Sequence, residues 1–326
     1  MGNHLLVPST TKETTSFSTN GLNAGISSMQ GFRREMEDTH IIANMPNAPD
    51  HSLFAVFDGH GGKGAAIFAQ NNFVSFLAES PEWITYLATM SASHLTLALT
   101  NCFINIDNAM RKLCDEDNTN LILRFGGCTA VVVIVTPTFI ICANAGDSRA
   151  VMSKTNLRMS IPLSHDHKPQ NPDEKARIEK CGGFVNNDRI NNILAVSRSF
   201  GDFDLKIDPN SPLVSCLPEF EIYLRDIYQD EMIIIACDGL WDVFSNDDAI
   251  TAVREMWSEG ENDTCLIAEE MLDLSIQKGS TDNISAIVVK LCMSSSPAMG
   301  GGVAFRRHLR ALKENEMKEK GMKESE

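Results

Sequence analysis

Three apolar runs of the sequence end in an aspartate beside a glycine, where a carboxylate could bind a metal ion or transfer a proton. The runs are FAVFDG, ICANAGD and IIIACDG, and their aspartates are Asp58, Asp147 and Asp238. A carboxylate at the end of a buried strand is held rigidly and partly shielded from water, which suits these two roles better than it suits a solubilising charge. A turn or helix cap would explain any one of them, but three together predict a site.

Further acidic residues flank two other apolar runs. Glu37 and Asp38 precede THIIANM, and Asp282 precedes ISAIVV. If all these ends converge, the carboxylates repel one another and raise each other's pKa values unless cations neutralise them. Oxygen ligands without paired Cys or His favour the hard cations Mg²⁺ and Mn²⁺ over zinc. The sequence therefore predicts a divalent metal site made of carboxylates.

The predicted elements must bring these ends together. Strands are predicted over residues 22–31, 39–45, 53–57, 232–236 and 284–291, in two runs around the turn Thr136–Thr138, and after Asp147. Helices are predicted over residues 63–78, 94–113, 247–257 and 264–277, with a shorter one from Asp173 that Gly182 ends. Strands in hairpins and helices in separate pairs indicate a layered α+β fold.

Composition and charge limit the class of protein. The chain has 326 residues, of which 43% are hydrophobic and 22% charged, so it can bury a large core. Its formal net charge of −15 disfavours nucleic acid as a partner and suits a site that concentrates cations. Nine cysteines without a CxxC pair indicate a reducing setting. We expect a soluble monomer in the cytoplasm, with the nucleus as a further location.

The two ends of the chain are expected to lie outside the main domain. Residues 1–20 are polar and predict a flexible lead-in, and the main domain is expected over 21–293. Residues 294–326 form a tail in which Phe305, Leu309 and Leu312 recur at helical spacing beside basic residues. Such a helix could bind a partner or an acidic membrane surface, although a solvated terminal helix explains the pattern more simply.

Gly2 raises the question of an acyl anchor. It stands at the myristoylation position, but Leu6 occupies the place where the motif has Ser or Thr. The alternative is an unmodified terminus. Membrane association is expected only if Gly2 is myristoylated.

Seven segments in order resemble the motifs of the metal-dependent protein serine/threonine phosphatases of type 2C. The resemblance covers about residues 21–292, and it rests on SSMQGFRREMEDTH, FAVFDGHGG, GGCTAVVVIV, NAGDSRAV, LAVSRSFGD, ACDGLWDV and STDNISAIVV. It implies an α+β fold in which a central sandwich of two antiparallel sheets is flanked by helices on both outer faces, in four αββα layers. It also implies two Mg²⁺ or Mn²⁺ ions per site, with a weaker third, and phosphoprotein substrates.

The resemblance also implies roles for individual residues. Asp58 would bridge two metal ions. One ion would be completed by Glu37 and the Gly59 carbonyl, and the other by Asp238 and Asp282. Asp147 and Asp242 could hold the third ion, and Asp38 would act through a bound water.

Phosphate binding and proton transfer fall to two further residues of the motifs. Arg33 would clamp the phosphate, because its guanidinium can donate two parallel hydrogen bonds. His60 would be the general acid for the leaving serine or threonine oxygen, or alternatively a residue that orients Glu37 or a water. Arg34 has no role in the motif and is interpreted as a surface charge. One departure from the family pattern is Asn192, which stands where the family usually has glycine. Asparagine can adopt a left-handed backbone, so we expect the turn to be kept.

The expected reaction is hydrolysis of phosphoserine and phosphothreonine by a metal-activated water, without a covalent intermediate. A cysteine-dependent phosphatase is excluded, since no cysteine is followed by Arg six positions later, and no GxxxxGK(S/T) loop supports a nucleoside triphosphatase. The remaining alternative is a weak or inactive phosphatase-like scaffold that binds protein partners. Lost metal ligands would mark such a scaffold, whereas here every proposed side-chain ligand is acidic.

Overall fold

Two antiparallel sheets packed face to face form the centre of the molecule, and helices cover both outer faces. The computed structural model describes residues 4–19, 21–116, 126–291 and 302–323, with side chains up to residue 312 in the last range. This arrangement confirms the predicted four-layer α+β sandwich. The positions of Gly2 and of the tail segments 292–301 and 324–326 lie outside the described residues.

The larger sheet has six strands in the order β1-β2-β16-β15-β9-β10. Their bounds are β1 His4–Thr19, β2 Leu22–Arg33, β16 Ile284–Lys290, β15 Asp230–Ala236, β9 Arg149–Lys154 and β10 Ile161–Pro162. Every pairing in this sheet is antiparallel.

The second sheet has five strands in the order β14-β8-β7-β4-β3. Their bounds are β14 Glu219–Leu224, β8 Phe139–Ala145, β7 Ala130–Val135, β4 Ala48–Phe57 and β3 Thr39–Met45. Two small sheets lie outside the sandwich. One pairs β13 Phe200–Gly201, β6 Gly127–Cys128 and β5 Gly59–His60, and the other pairs β11 Val185–Asn186 with β12 Arg189–Ile190.

The helices form two groups, one on each sheet. The group on the five-stranded sheet comprises α1 Gly64–Ala78, α2 Pro81–Thr89 and α3 Ala92–Glu116. The group on the six-stranded sheet comprises α5 Asp238–Trp241, α6 Asn246–Ser258, α7 Thr264–Gln277 and α8 Gly302–Lys323. A separate short helix, α4 Pro172–Lys180, lies in the long connection after β10. Within the described residues, no helix is both long and apolar enough to cross a membrane.

Alternation along the central strands explains why their sequences are apolar without interruption. In β15, Ile233 and Ile235 pack between the sheets, whereas Met232 and Ile234 pack against the helices. Because both faces of the sheet are covered, both sets of side chains are buried, and a continuous apolar run results.

Strand register brings the acidic ends to one end of the sandwich. Ala236 of β15 pairs with both Ala286 of β16 and Arg149 of β9, so the residues just beyond these strand ends become neighbours. In the other sheet, Thr39 of β3 pairs with Phe57 of β4. The carboxylates are far apart in sequence but belong to paired strand ends.

The expected flexible lead-in is wrong for the described residues 4–19, which form β1 at the edge of the larger sheet. Phe17 packs edge-on against Phe54 with ring centroids 5.7 Å apart, and Lys12 pairs with Asp273 at 2.6 Å. The polarity of this segment was misleading, because an edge strand with an exposed side needs few core residues, and threonine is a good strand former. Ordered structure therefore begins well before Gly21.

The tail contains the predicted helix, and three of its arginines form ion pairs with the rest of the fold. Val303 is buried against α6 and α7, and Arg306 binds Glu259. Arg307 binds Glu269 at 2.8 Å, and Arg310 binds Glu270. The described part of α8 is therefore attached to the catalytic body by ion pairs, which is at odds with a solvated helix.

Candidate active site

One cavity of about 670 Å³ at the end of the sandwich gathers most of the predicted site residues. Its walls include the predicted metal ligands Glu37, Asp58, Gly59, Asp147, Asp238 and Asp282, together with Arg33 and His60. Gly59 fits only because it lacks a side chain, since a Cβ there would lie 2.5 Å from the Glu37 carbonyl oxygen. The convergence predicted from the strand ends is thus present in the fold.

Asp38 and Asp242 stand just outside the cavity wall. Asp38 is buried, its Oδ2 accepts a hydrogen bond from Ser285 Oγ at 2.8 Å, and its Oδ1 has no partner among the described residues. Asp242 lies one turn after Asp238 in the chain, and its backbone N–H donates to the Asp238 carbonyl at 2.8 Å. Both positions suit residues that support the ligands or bind an ion at the margin of the site.

Burial and mutual repulsion disfavour the charged form of these carboxyls. Burial, and then the charge of Asp238, raises the pKa of Asp58 well above its usual value. Burial, and then the charge of Asp147, does the same to the pKa of Asp238. Burial also raises the pKa of Asp38 to about 6 and the pKa values of Glu37 and Asp242 to a lesser extent. Such a cluster is neutralised by bound cations.

Two basic side chains of the protein act as counter-ions in the cavity region. Arg33 forms an ion pair with Asp282, and Lys168 forms one with Asp147. Burial would lower the pKa of Lys168, but the charge of Asp147 raises it overall. Arg33 was predicted to bind phosphate. Lys168 was not predicted as a site residue, because its segment HDHKP lies outside the acidic motifs in the sequence.

His60 is held by a buried aspartate that the sequence analysis also missed. Its Nε2 lies 2.8 Å from Asp202 Oδ2 and 2.9 Å from Oδ1. Burial alone lowers the pKa of His60, but the charge of Asp202 and its hydrogen bond raise it overall. The available signal was FGD in the motif LAVSRSFGD, in which Asp202 adopts a left-handed backbone with φ of 53°.

A hydrogen-bonded threonine fixes the backbone of Asp58. Thr129 N–H donates to the Asp58 carbonyl at 2.9 Å, and Asp58 N–H donates to Thr129 Oγ1 at 3.2 Å. Thr129 Oγ1 also lies 2.6 Å from Ser148 Oγ, next to Asp147. These contacts hold two of the acidic strand ends in a fixed relation.

Cys237 is a buried core residue, as its place in an apolar run predicts, and it also lies among the carboxylates. Its Sγ and one oxygen each of Asp38 and Asp58 lie within 4.8 Å of one another. Burial, and then the charge of Asp38, raises the pKa of the thiol well above its usual value. A thiol that stays protonated is a poor metal ligand, so the oxygens remain the ligands that suit a hard cation.

The residues present fit divalent metal ions. The cavity offers carboxylates from five separate segments, their charges repel one another, and Asp38 Oδ1 is buried without a partner among the described residues. An all-oxygen donor set of this kind favours Mg²⁺ or Mn²⁺. The side chains that would hold such ions are Glu37, Asp58, Asp238 and Asp282.

A hairpin beside the cavity carries the departure from the family pattern. Arg189, in β12, lines the cavity, and Asn191 and Asn192 follow it with φ of 50° and 61°. The prediction that Asn192 adopts the left-handed turn is therefore confirmed. Arg34 also lines the cavity, whereas the sequence analysis treated it as an ordinary surface charge.

Comparison with known proteins identifies the class to which this fold and site belong. The family model described as Protein phosphatase 2C matches residues 22–284, which is most of the chain. The chain belongs to the protein phosphatase 2C family, as its motifs predicted.

Individual relatives agree with this assignment. The chain is 37% identical over 339 residues to the human protein named Protein phosphatase 1B, covering 98% of this chain and 68% of that protein. It is 35% identical over 303 residues to human Protein phosphatase 1A, covering 91% and 77% respectively. A crystal structure of a serine-threonine phosphatase 2C from Toxoplasma gondii superposes with a TM-score of 0.73 at 26% identity, covering 88% of this chain and 98% of that chain. The protein is thus a protein phosphatase.

Proposed function

We propose that this protein hydrolyses phosphoserine and phosphothreonine in proteins with the help of Mg²⁺ or Mn²⁺. The observation that carries the proposal is the convergence of acidic strand ends with Arg33 and His60 in one cavity. Two divalent ions, when bound, would neutralise developing negative charge and make a water molecule more acidic. Hydrolysis of phosphate monoesters is extremely slow without catalysis, so the site must stabilise much charge.

The acidic residues would hold the ions and direct the water. Burial, and then the charges of Asp238, Asp38, Asp147 and Asp282, raise the pKa of Asp58, and this repulsion from four carboxyls supports its assignment as a bridging ligand. Asp38, with one oxygen fixed by Ser285 and the other without a partner among the described residues, could accept a hydrogen bond from a water. Asp147 and Asp242 would hold a third ion, in which case Lys168 would have to release Asp147.

Arg33 would bind the substrate phosphate once Asp282 is neutralised by a cation. At present its guanidinium is paired with the Asp282 carboxylate, and both groups line the cavity. A cation on Asp282 would compete for the same carboxylate and leave the planar guanidinium to bind two phosphate oxygens. Metal binding and substrate binding would therefore be coupled.

His60 would protonate the leaving oxygen of the serine or threonine. Asp202 occupies its Nε2, so Nδ1 is the nitrogen that would donate to the leaving group. The charge of Asp202 and its hydrogen bond raise the pKa of His60, which favours the protonated ring that a general acid requires. The alternative role of orienting Glu37 has less support, because the ring makes its described hydrogen bonds to Asp202.

A non-catalytic scaffold finds no support in the site. Of the acidic residues proposed as ligands, all but Asp242 line the cavity together with Arg33, which would bind the phosphate. We also propose that the protein is a cytoplasmic monomer, with membrane attachment only through acylation of Gly2.

Metal-dependent turnover tests the proposal directly. Purified full-length protein should release phosphate from a phosphoserine peptide and from p-nitrophenyl phosphate in Mn²⁺ or Mg²⁺, and EDTA should abolish both activities. Full activity in protein verified as metal-free would contradict the mechanism. Inactivity with either metal and both substrates would favour the scaffold.

A further inference from the structure

A second cavity lies at the opposite end of the six-stranded sheet from the candidate active site. Its volume is about 550 Å³, and its wall comprises residues 155–158 after β9, Glu231 of β15, helix α6 and Lys290 of β16. Glu231 is near the start of β15 and Lys290 is the last residue of β16, whereas Asp238 and Asp282 flank the other ends of these strands. The two cavities share no lining residue.

Positive charge predominates in the second cavity, although the chain as a whole is acidic. Arg158, Arg254 and Lys290 line it, with Glu231 as the one carboxylate in the wall. Arg254 Nε donates to Glu231 Oε2 at 2.9 Å, and Arg254 Nη2 donates to the carbonyls of Lys154 and Leu157 at 2.9 Å each. Arg254 and Glu231 thus neutralise each other and hold the loop in place. In the part of the chain that the structure describes, Arg158 and Lys290 form no ion pair.

Lys290 is the most unusual residue of this wall. It is only 9% exposed, and its ammonium makes one described hydrogen bond, to Asn262 Oδ1 at 3.3 Å. The nitrogen also lies 5.2 Å from the ring centroid of Trp257. An anion bound beside this nearly buried ammonium would compensate a charge that has no ion-pair partner among the described residues.

Trp257, which also lines this cavity, carries a hydrogen-bond donor that lacks an acceptor among the described residues. Trp257 is 8% exposed, and its Nε1 is buried without a hydrogen-bond partner among the described residues. Arg158 and Lys290 bring cationic donors to the wall from a loop and a strand end, and its single carboxylate is already bound. The complementary ligand is rich in acceptor oxygens and negatively charged.

We propose that this cavity binds a phosphate group, either as inorganic phosphate or as a phosphorylated side chain of a protein. A tetrahedral oxyanion presents oxygens in several directions, which matches cationic donors that come from a loop and a strand end, and charge-assisted hydrogen bonds to it are strong. The binding residues, Arg158 and Lys290, take no part in the catalytic cavity, so this site is independent of the proposed reaction.

Direct binding to full-length protein tests the site. Inorganic phosphate, and a peptide carrying a non-hydrolysable phosphonate mimic of phosphoserine, are titrated by calorimetry in EDTA. Lys290→Met keeps the aliphatic stem over Trp257 but removes the charge, and it should weaken binding roughly tenfold. Lys278→Met is the matched control, because Lys278 likewise lies 4.6 Å from an aromatic ring, that of Phe244, but outside this cavity. It should bind as the wild type does.

The two probes distinguish the sources of the phosphate group. If inorganic phosphate and the phosphonate peptide bind equally well, the site is one for free phosphate. If the phosphonate peptide binds more tightly than both inorganic phosphate and the same peptide with an unmodified serine, the site is one for a phosphoprotein. Arg158 is exposed and forms no described ion pair, so Arg158→Ala serves as a second test in case Lys290→Met folds poorly. It should also weaken binding. The proposal would be overturned by unchanged affinity in Lys290→Met or Arg158→Ala, or by absence of binding at millimolar concentrations. Loss of binding in Arg33→Ala would also overturn it, because the phosphate would then bind in the candidate active site. Turnover of p-nitrophenyl phosphate should be unchanged in Lys290→Met.

Discussion

Repulsion between buried carboxylates governs the chemistry of single residues in this site. Asp58 and Asp238 have pKa values well above the usual one because they are buried beside other acids. The protein compensates in part with Arg33 and Lys168, which pair with Asp282 and Asp147. Divalent ions would replace these weaker counter-ions and bring the carboxylates to their charged form.

Substitution of Asp58, the proposed bridging ligand, and of His60, the proposed general acid, should separate metal binding from proton transfer. Asp58→Ala should lower turnover by roughly a thousandfold or more and abolish metal binding measured by calorimetry, because several kcal/mol of charge stabilisation are lost. His60→Ala should lower kcat while the metals still bind. Asp204→Asn removes an exposed carboxylate outside the cavity and should behave as the wild type. Normal turnover in Asp58→Ala would rule out the bridging role.

The Asp202 carboxylate should set the pH range of the general acid. Since its charge raises the pKa of His60, Asp202→Asn should lower that pKa toward its ordinary value. A general acid works only while protonated, so the alkaline limb of kcat/KM for a phosphoserine peptide should move to lower pH. With p-nitrophenyl phosphate, whose leaving group needs no proton, the change should be smaller. Identical pH profiles in the variant and the wild type would show that Asp202 does not tune His60.

At the scale of elements, the two ends of the chain meet over helix α7. Lys12 of β1 and Arg310 of α8 both contact Asp273, and Thr14 of β1 donates to Glu269 at 2.9 Å. Glu270, on the same helix, is fully buried and binds Arg310. Strand β1 and helix α8 therefore both bind α7, which belongs to the helical layer on the sheet whose strand ends carry Asp238 and Asp282.

Breaking the buried ion pair should destabilise this layer. Arg310→Ala leaves Glu270 buried, and Arg307, at 3.9 Å, is then its one remaining ion-pair partner among the described residues. We expect the free energy of unfolding in denaturant to fall by about 3 kcal/mol. Glu270→Gln in the same chain should restore part of the loss, because it removes the uncompensated charge.

An exposed ion pair provides the comparison for that experiment. Lys175 and Glu179 of α4 lie 3.8 Å apart and are about half exposed, so Lys175→Ala should change stability by less than about 0.5 kcal/mol. An equally small effect of Arg310→Ala would mean that α8 is only loosely attached.

At the scale of the whole molecule, the cluster links stability to metal and to pH. Carboxyls with raised pKa values bind protons more tightly in the folded, metal-free protein than in the unfolded chain. Its free energy of unfolding should therefore fall as the pH rises from the ordinary carboxyl value of 3.8 towards the raised values. The overall charge of −15 adds repulsion in the same direction and also attracts cations.

Thermal unfolding should report this linkage. Adding Mn²⁺ to metal-free protein at a hundredfold excess over its dissociation constant should stabilise the fold by about 2.7 kcal/mol, a rise of several degrees in Tm. In Asp58→Asn the rise should disappear, and the metal-free variant should melt above the metal-free wild type because one repelling charge is gone. A metal-dependent rise of the same size in Asp58→Asn would place the ions elsewhere.

The sequence by itself determined the main strands, most of the helices and the acidic ligands. Strands buried on both faces are continuous apolar runs in the sequence. The Asp and Gly residues that follow them are local patterns, so they can be recognised without a structure. Short or half-exposed elements were harder to predict. Helix α2, which buries only Trp83 and Tyr86, and the edge strand β1 have too few core residues to give a clear period.

Only the tertiary structure decided which charges meet. The pairing of His60 with Asp202 joins residues 142 positions apart, and the pairing of Arg33 with Asp282 joins residues 249 apart. Such contacts depend on strand register and on side-chain packing across several elements, which no local pattern records. For the same reason, the cavity around Lys290 and the attachment of α8 could be found only once distant segments had been brought together.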